Sequence, residues 1–481
     1  MVSPALEEDV PILDMGDSAS ATVAAIAEAQ TISADEVALY DRQIRLWGME
    51  AQARMRNAHI LLITIRSLAN EVAKNLVLAG IGSLTVLDSE VVHEDDLGAQ
   101  FFIGEEHIGM NRAEAAAPAI QRLNPRVPVH VDTSKLETKD SSYFKQFDIV
   151  IATELDLDSL LLINFSTRQC GRPFYAAATY GLYGYIFADL IKHSFVIERE
   201  KSNMKTDLKK ESATRTVIGV TEKKEGEKTI EFVTKEEVYT PLVEVLNCEI
   251  DKTWKIRKRK TVPAVLPGVS AMWAFQKQHG RLPECTKNDF AEFTKLLTEA
   301  NRQLNLPEEI VQSSFISSFV ENATSELTPI SAILGGILAQ DVINVLGKRE
   351  QPLQNLLVFD GNTSNLHDSL IIYPCCIIIC NTNHHAAPPM RLVQDLHVEI
   401  ARPSLVPGPL SQLLQTLQTL RPKVHSVNAM HCLLVMLGVH VSLRRNYNII
   451  VYLTGAPNPC HNTPRAKAHP VEYTYPTRRS F

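Results

Sequence analysis

Residues Thr64 to Ala69 stand where a βαβ unit would grip a phosphate, and their types are wrong for that task. A turn of the G-x-G-x-x-G kind uses its first glycine for a tight bend. The second lets a pyrophosphate approach the backbone, and the third lets helix pack closely on strand. The free N–H groups and positive dipole end of the following helix then hold the anion. Here the three positions fall on Thr64, Arg66 and Ala69. Ala69 is a tolerated third residue. A positive φ is costly at Thr64, and Arg66 sets a Cβ and a long side chain where the phosphate would sit. Arg66 could hold a phosphate by charge. The reading preferred on these residues is a turn that no longer binds nucleotide in the usual way.

The elements that position this turn are clearly written. Ala58–Ile63 is an apolar strand. Leu68, Val72, Leu76 and Ala79 recur at helical spacing, and Gly80 and Gly82 stop that helix. Leu84–Asp88 is a second strand, which completes the opening of a dinucleotide-type unit. Further strands are expected at Val127–Val131, Phe147–Ala152 and Phe174–Ala178, with Thr179–Asp189 continuing into an apolar strand. Strands alternating with helices imply an α/β fold with a mostly parallel sheet covered on both faces.

Around this frame, residues 35–56 read as a helix leading into the first strand. Residues 198–237 are dense in Lys and Glu and read as a solvated insertion or disordered loop. Residues 238–325 look mainly helical. The segment Ile330–Leu346, with Gly335-Gly336 and the helical run Ile337–Leu346, and the buried strand Asn355–Gly361 resume the sheet. The domain expectation is therefore a mobile tail over 1–33, the first part of the domain over 34–190, and an insertion over 191–325, first a charged loop and then helical. The end of the domain follows over 326–365, and then a tail over 366–481, expected to be disordered or not genuine coding sequence.

Composition narrows the class. The chain has 481 residues, 45% hydrophobic and 21% charged, enough for one large core or two to three domains. Residues 366–481 carry 10 Lys+Arg against 4 Asp+Glu, which leaves a body of formal charge −13. An acidic body argues against a nucleic-acid surface. Residues 1–30 are acidic and alanine-rich, unlike a secretory signal, and no run of about 18 apolar residues suggests a membrane span. The first 365 residues hold only Cys170, Cys248 and Cys285, so a reduced, intracellular protein is the default and Cys170 and Cys285 read as core thiols. A metal reading through Cys375, Cys376, Cys380, His384 and His385 lacks standard spacing. Lys255–Lys260 reads as a nuclear signal or as a charged helix face.

Longer motifs run through the chain: Tyr40-Asp-Arg-Gln-Ile-Arg-Leu-Trp-Gly48, Lys74–Gly80, Leu97–Phe101, Gly109–Glu114, Leu123–Pro125, Ala332–Asp341 and Phe359–Gly361. On these the chain resembles the ubiquitin-like modifier-activating enzyme family, and within it the small, Aos-type subunits of SUMO-activating heterodimers. The likeness covers roughly residues 35–365. It implies a Rossmann-like pseudo-adenylation domain of the ThiF/MoeB type with a mainly helical insertion.

In that family an active half binds ATP and Mg and converts the modifier's C-terminal glycine to an acyl-adenylate, which needs charge stabilisation and positioning. The acid near the ribose would be Asp88 or Glu90. Of the family's Asn-x-x-Arg-Gln-Phe segment only Gln100 and Phe101 remain, with Asp96 and Ala99 at the asparagine and arginine positions. Arg112 stands at the lysine position and Asp156 near the metal position, and no catalytic cysteine has a counterpart. The resemblance thus implies a degraded site at Thr64, Arg66, Ala69, Asp88, Glu90 and Arg112 that holds no metal, with ATP and Mg at the partner's site.

The same resemblance gives Arg42 a role in trans, reaching across the dimer to the partner's ATP phosphates. On the residues alone, Arg42 pairs locally with Asp41 or a helix C-terminus. The implied partners are a large Uba-type catalytic subunit and, through the complex, SUMO, with no nucleic acid, no membrane and a nuclear location. The alternative is the equivalent subunit for a Nedd/Rub-type modifier, which carries a larger insertion. A NAD-binding oxidoreductase needs the intact glycine turn. A homodimeric sulfur-carrier adenylase needs an intact ATP site on the same chain.

Overall fold

A computed structural model of the chain describes residues 33–202, 206–226, 228–250, 253–362, 371–373, 439–444 and 448–453. It divides into two units, Met1–Asn381 and Thr382–Phe481.

The first unit is built on an eight-stranded sheet. Its strands are β1 (His59–Ile63), β2 (Ser83–Leu87), β3 (Val129–Asp132), β4 (Ile149–Thr153), β5 (Phe174–Tyr180), β6 (Tyr183–Asp189), then β10 (Asn355–Asp360) and β11 (Ile371–Tyr373). The spatial order is β11-β10-β6-β5-β4-β1-β2-β3. Strands β3, β2, β1, β4 and β5 are parallel, and β6, β10 and β11 run antiparallel. The parallel part reverses its order between β1 and β4. That is the switch point at which open α/β sheets bind ligands.

The pleat sorts β1 between two cores. Ile60 and Leu62 face one, with Leu68, Val72 and Leu76 of helix α4 (Ser67–Ala79) and Leu334, Leu338 and Val342 of helix α13 (Thr328–Gly347). Leu61 and Ile63 face the other, with Leu160 and Ile163 of α7 (Leu157–Gln169) and Met272 and Phe275 of α10 (Val265–His279). Helix α13 is long and apolar enough to cross a bilayer by length and composition alone. It lies mostly buried instead, packed along α4.

The helix expected over 35–56 is three: α1 (Ala34–Leu39), α2 (Asp41–Trp47) and α3 (Met49–Arg56), broken at Tyr40 and Gly48. Ser33 and Glu36 form a reciprocal capping box that starts α1. Arg54 of α3 donates to the last carbonyls of α13, Leu346 O at 3.0 Å and Gly347 O at 2.6 Å, where a cation is favoured. Helices α5 (Arg112–Leu123) and α6 (Ser141–Phe144) complete the parallel half.

The charged segment 198–237 is not a loop. Residues 192–238 form a three-stranded antiparallel sheet, β7 (Lys192–Glu200), β8 (Arg215–Glu225) and β9 (Lys228–Val238), in the order β7-β9-β8. Its charges pair within the sheet and with its loops, as in Arg199–Glu231, Lys201–Glu222, Arg215–Glu237, Lys228–Glu200 and Lys235–Glu211. Phe195, Val217 and Val233 supply its buried face. The rest of the insertion is helical: α8 (Leu242–Leu246), α9 (Ile256–Arg259), α10, α11 (Lys287–Gln303) and α12 (Ser313–Glu321).

Within residues 366–481, expected to be disordered or not genuine coding sequence, the described residues form strands at two places. Strand β11 pairs with β10, Ile371 opposite Val358. The second unit contains an antiparallel hairpin, β12 (Val439–Arg444) with β13 (Asn448–Leu453). The cysteines and histidines of the metal reading, 375–385, lie outside the described residues.

Candidate functional site

The turn after β1 keeps the shape that a glycine would give it. Thr64 sits at φ +68°, in the left-handed region. Its N–H donates to Leu87 O at 2.9 Å, and its carbonyl accepts from Thr153 Oγ1 at 2.8 Å. The neighbouring strands hold a strained residue in place, at a cost of order 1–3 kcal/mol. Ala69 is fully buried where α4 meets the sheet.

Arg66 is the N-cap residue of α4 and provides no side-chain cap. Its guanidinium instead forms an ion pair with Glu326, from the connection between α12 and α13. The other oxygen of the same carboxylate accepts from the Ser67 N–H at 3.1 Å. One carboxylate thus bridges the helix N-terminus and the cation beside it. Glu326 retains 14% side-chain exposure.

Near Arg66 and Glu326, Glu154 follows β4 at φ +57°. Its Oε1 accepts from the Thr179 N–H and Oγ1, each at 3.0 Å. Burial lifts its pKa to about 7; Arg66 opposes the rise and Glu326 adds to it.

Of the two acids expected near a ribose, only Asp88 faces inward. Asp88 is buried and accepts from Ile65 N and Glu90 N, both at 2.9 Å, while Glu90 is exposed. Arg112 neutralises Asp88, with Nε 3.2 Å from Oδ2. It also lies 3.8 Å from Asp96, which accepts from Gln100 Nε2 at 2.7 Å. Asp156 caps α7, accepting from Ser159 N at 3.0 Å and Ser159 Oγ at 2.7 Å.

These residues do not fit a bound nucleotide. The donors that would meet phosphate, Ser67 N–H and Arg66, are held by Glu326, and the acid that would meet ribose is held by Arg112. Thr64, Arg66, Asp88 and Arg112 were expected from the sequence at this site; Glu154 and Glu326 were not. A lone acid at the end of the apolar strand β4, beside the switch point, was the available signal for Glu154. Nothing local marks Glu326.

Arg42 stands apart. It is exposed on α2 and makes no hydrogen bond or ion pair among the described residues. Asp41, its expected local partner, is bound by Arg45 at 3.0 Å. Of the cysteines read as core thiols, Cys170 is partly buried and its Sγ donates to Ser141 O at 3.0 Å. Cys285 is exposed, which corrects that expectation; it lies just ahead of α11, outside the packed interior.

The remaining motif residues lock the fold. Tyr40 packs on Gly80, whose φ is +80° and whose added Cβ would lie 2.6 Å from the Tyr40 ring. The Asn124 amide donates both to Tyr40 Oη at 2.8 Å and to Val77 O, at the end of α4, at 2.9 Å. Asp341 accepts from Tyr175 Oη and from Leu353 N, both at 2.7 Å.

A mostly parallel sheet with this strand order and a left-handed turn after β1 define a Rossmann-like α/β domain. The ThiF family profile matches residues 40–373, and the chain belongs to that family. It is 41% identical over 344 residues to "DNA damage tolerance protein RHC31" of Saccharomyces cerevisiae, covering 70% of this chain and 97% of that protein. It is 36% identical over 332 residues to "DNA damage tolerance protein rad31" of Schizosaccharomyces pombe, covering 69% and 96%. It is also 36% identical over 337 residues to "SUMO-activating enzyme subunit 1" of Homo sapiens, covering 69% and 94%.

Proposed function

We propose that this chain is the small subunit of a heterodimeric SUMO-activating enzyme. It supports ATP-dependent adenylation and thioester transfer of SUMO by a larger partner subunit and is itself inactive in adenylation. The relatives named as SUMO-activating enzyme subunit 1 support the modifier class. The observation that carries the inactive role is the Glu326 carboxylate seated on Arg66 and Ser67 N–H, where a nucleotide phosphate would have to bind.

Arg42 is the residue offered to the partner. It is a free, planar cation on an ordered helix, suited to neutralise phosphate charge at a site built by another chain. ATP and Mg belong to that site. A nuclear location is part of the proposal. Lys255, Arg257, Lys258 and Lys260 are exposed around α9 and reachable by an import receptor, although Lys258 also stacks 3.6 Å from the Trp254 ring centre.

The test is reconstitution. The full chain is mixed with the large subunit of a SUMO-activating enzyme or, in parallel, of a Nedd/Rub-type enzyme, and thioester formation on each partner is followed with SUMO or the Nedd/Rub-type modifier. Activity with the SUMO pair alone supports the proposal. Activity with the other pair alone overturns the modifier assignment.

A further inference from the structure

We propose that Glu326 is a built-in anion that takes the place of the nucleotide phosphate, so that the turn after β1 is occupied in cis rather than merely degraded. The inference rests on the reading that this chain's own cleft does not take ATP. It names the residue responsible and a latent property that the residue conceals.

Two features of the phosphate cradle persist in this chain, and a cation is added to them. The turn keeps its left-handed bend, Thr64 at φ +68°. The helix N-terminus is present, with the Ser67 N–H pointing at an acceptor. A guanidinium stands beside it at Arg66. Such an array of N–H groups, dipole and cation binds anions. Glu326 occupies it as an anion would: one oxygen accepts from the Ser67 N–H, and the other is ion-paired with the guanidinium.

The carboxylate is delivered on a braced loop. Gly181, in the β5–β6 turn, donates its N–H to Ser325 O at 3.0 Å. It sits at φ +59°, and an added Cβ would lie 2.3 Å from Asn322 Cβ. Ser325 N in turn donates to Asn322 O at 3.0 Å, and Pro329 lies in the first turn of α13, just beyond Glu326. The β5–β6 turn and the start of α13 therefore fix the backbone on both sides of the acid. An acid on a freely moving loop would lose affinity to backbone entropy on docking. A braced one loses little.

The experiment uses the full chain and inorganic pyrophosphate as the probe, with no large subunit present. Binding is measured by calorimetry for the native chain and for Glu326→Ala, Glu326→Gln and Glu326→Ala/Arg66→Ala. Removal of the plug should expose the cradle. Glu326→Ala is expected to bind pyrophosphate at least about tenfold more tightly than the native chain, as fits one additional charge-assisted hydrogen bond. Glu326→Gln keeps an acceptor for the Ser67 N–H but lacks the charge, and its affinity should rise less. The double variant should return to the native level.

A folded Glu326→Ala or Glu326→Gln chain that binds pyrophosphate no better than the native one would overturn the proposal. So would a rise in affinity that survives loss of Arg66. If Glu326→Ala fails to fold, the Gln variant decides alone. Tight binding of Mg-ATP by the native chain is a separate outcome: it would refute the inactive-subunit reading, and the plug with it. Unchanged affinity in the variants would refute the plug and leave that reading standing.

Discussion

Asp41 is bound by Arg45, one helical turn along α2, and not by its neighbour Arg42. The salt bridge stays on the near side of the helix, and the Arg42 guanidinium is left in solvent.

Arg42→Ala should therefore leave the heterodimer assembled and slow the adenylate-forming step. Loss of one charge-stabilising group of this kind lowers rates by about 10²–10³. Pyrophosphate exchange at saturating ATP and SUMO reads the chemistry, and gel filtration reads assembly. Arg45→Ala is the control. It removes only an exposed i,i+4 pair, worth about 0.3–0.5 kcal/mol, and should leave exchange nearly unchanged.

Asn124 closes the end of α4 and holds Tyr40 over Gly80. Asn124→Ala leaves a buried hydroxyl and a helix carbonyl short of a donor, at a cost of about 1–3 kcal/mol. The midpoint of thermal unfolding should fall accordingly. Tyr40→Phe keeps the ring on Gly80 and should cost less. Equal losses in the two variants would contradict this division of labour.

Glu154 gives stability a pH dependence. Its pKa rises from 4.5 to about 7 on folding, so the folded protein holds this proton more tightly than the unfolded chain. The contribution is fully present below about pH 4.5, declines as pH rises towards 7, and is lost above that value. His193, whose pKa burial lowers to about 4, acts in the opposite direction, so the Glu154 term is read as a difference: between these limits the stability of the native chain relative to Glu154→Gln should fall as pH rises. Asp341, also lifted to about 7 by burial, titrates in the same window and keeps some slope in the variant.

Cleavage of the tail has a defined safe limit. Ile371–Tyr373 pairs with Leu356–Val358, so a chain ending at residue 365 loses an edge strand of the main sheet. A chain ending at Asn381 keeps the whole first unit. The longer chain should match the full chain in partner binding and thioester formation, while the shorter one should unfold at lower temperature.

The βαβ opening was legible because its signals are local: an apolar strand, a 3.6-residue period and glycine stops. Helix α13 and strand β10 were legible for the same reason. The sheet β7–β9 was not. Its Lys and Glu residues look solvated along the chain, and only pairing such as Arg215 with Glu237 shows that they are internally matched. The site was half legible. Thr64 and Arg66 announce a lost phosphate loop, but the partner of Ser67 lies 259 residues away, and no local pattern points that far. Asp88 and Glu90 could not be separated by spacing. Only the fold shows that Asp88 turns inward to Arg112.

That separation of 259 residues also gives the contact a place in time. A ribosome adds about 5–20 residues per second, so Glu326 emerges on the order of tens of seconds after Ser67. Throughout that interval the Ser67 N–H and Arg66 lack the carboxylate that holds them in the finished fold. This contact is therefore among the last to close, and it waits for the α12–α13 connection to be made.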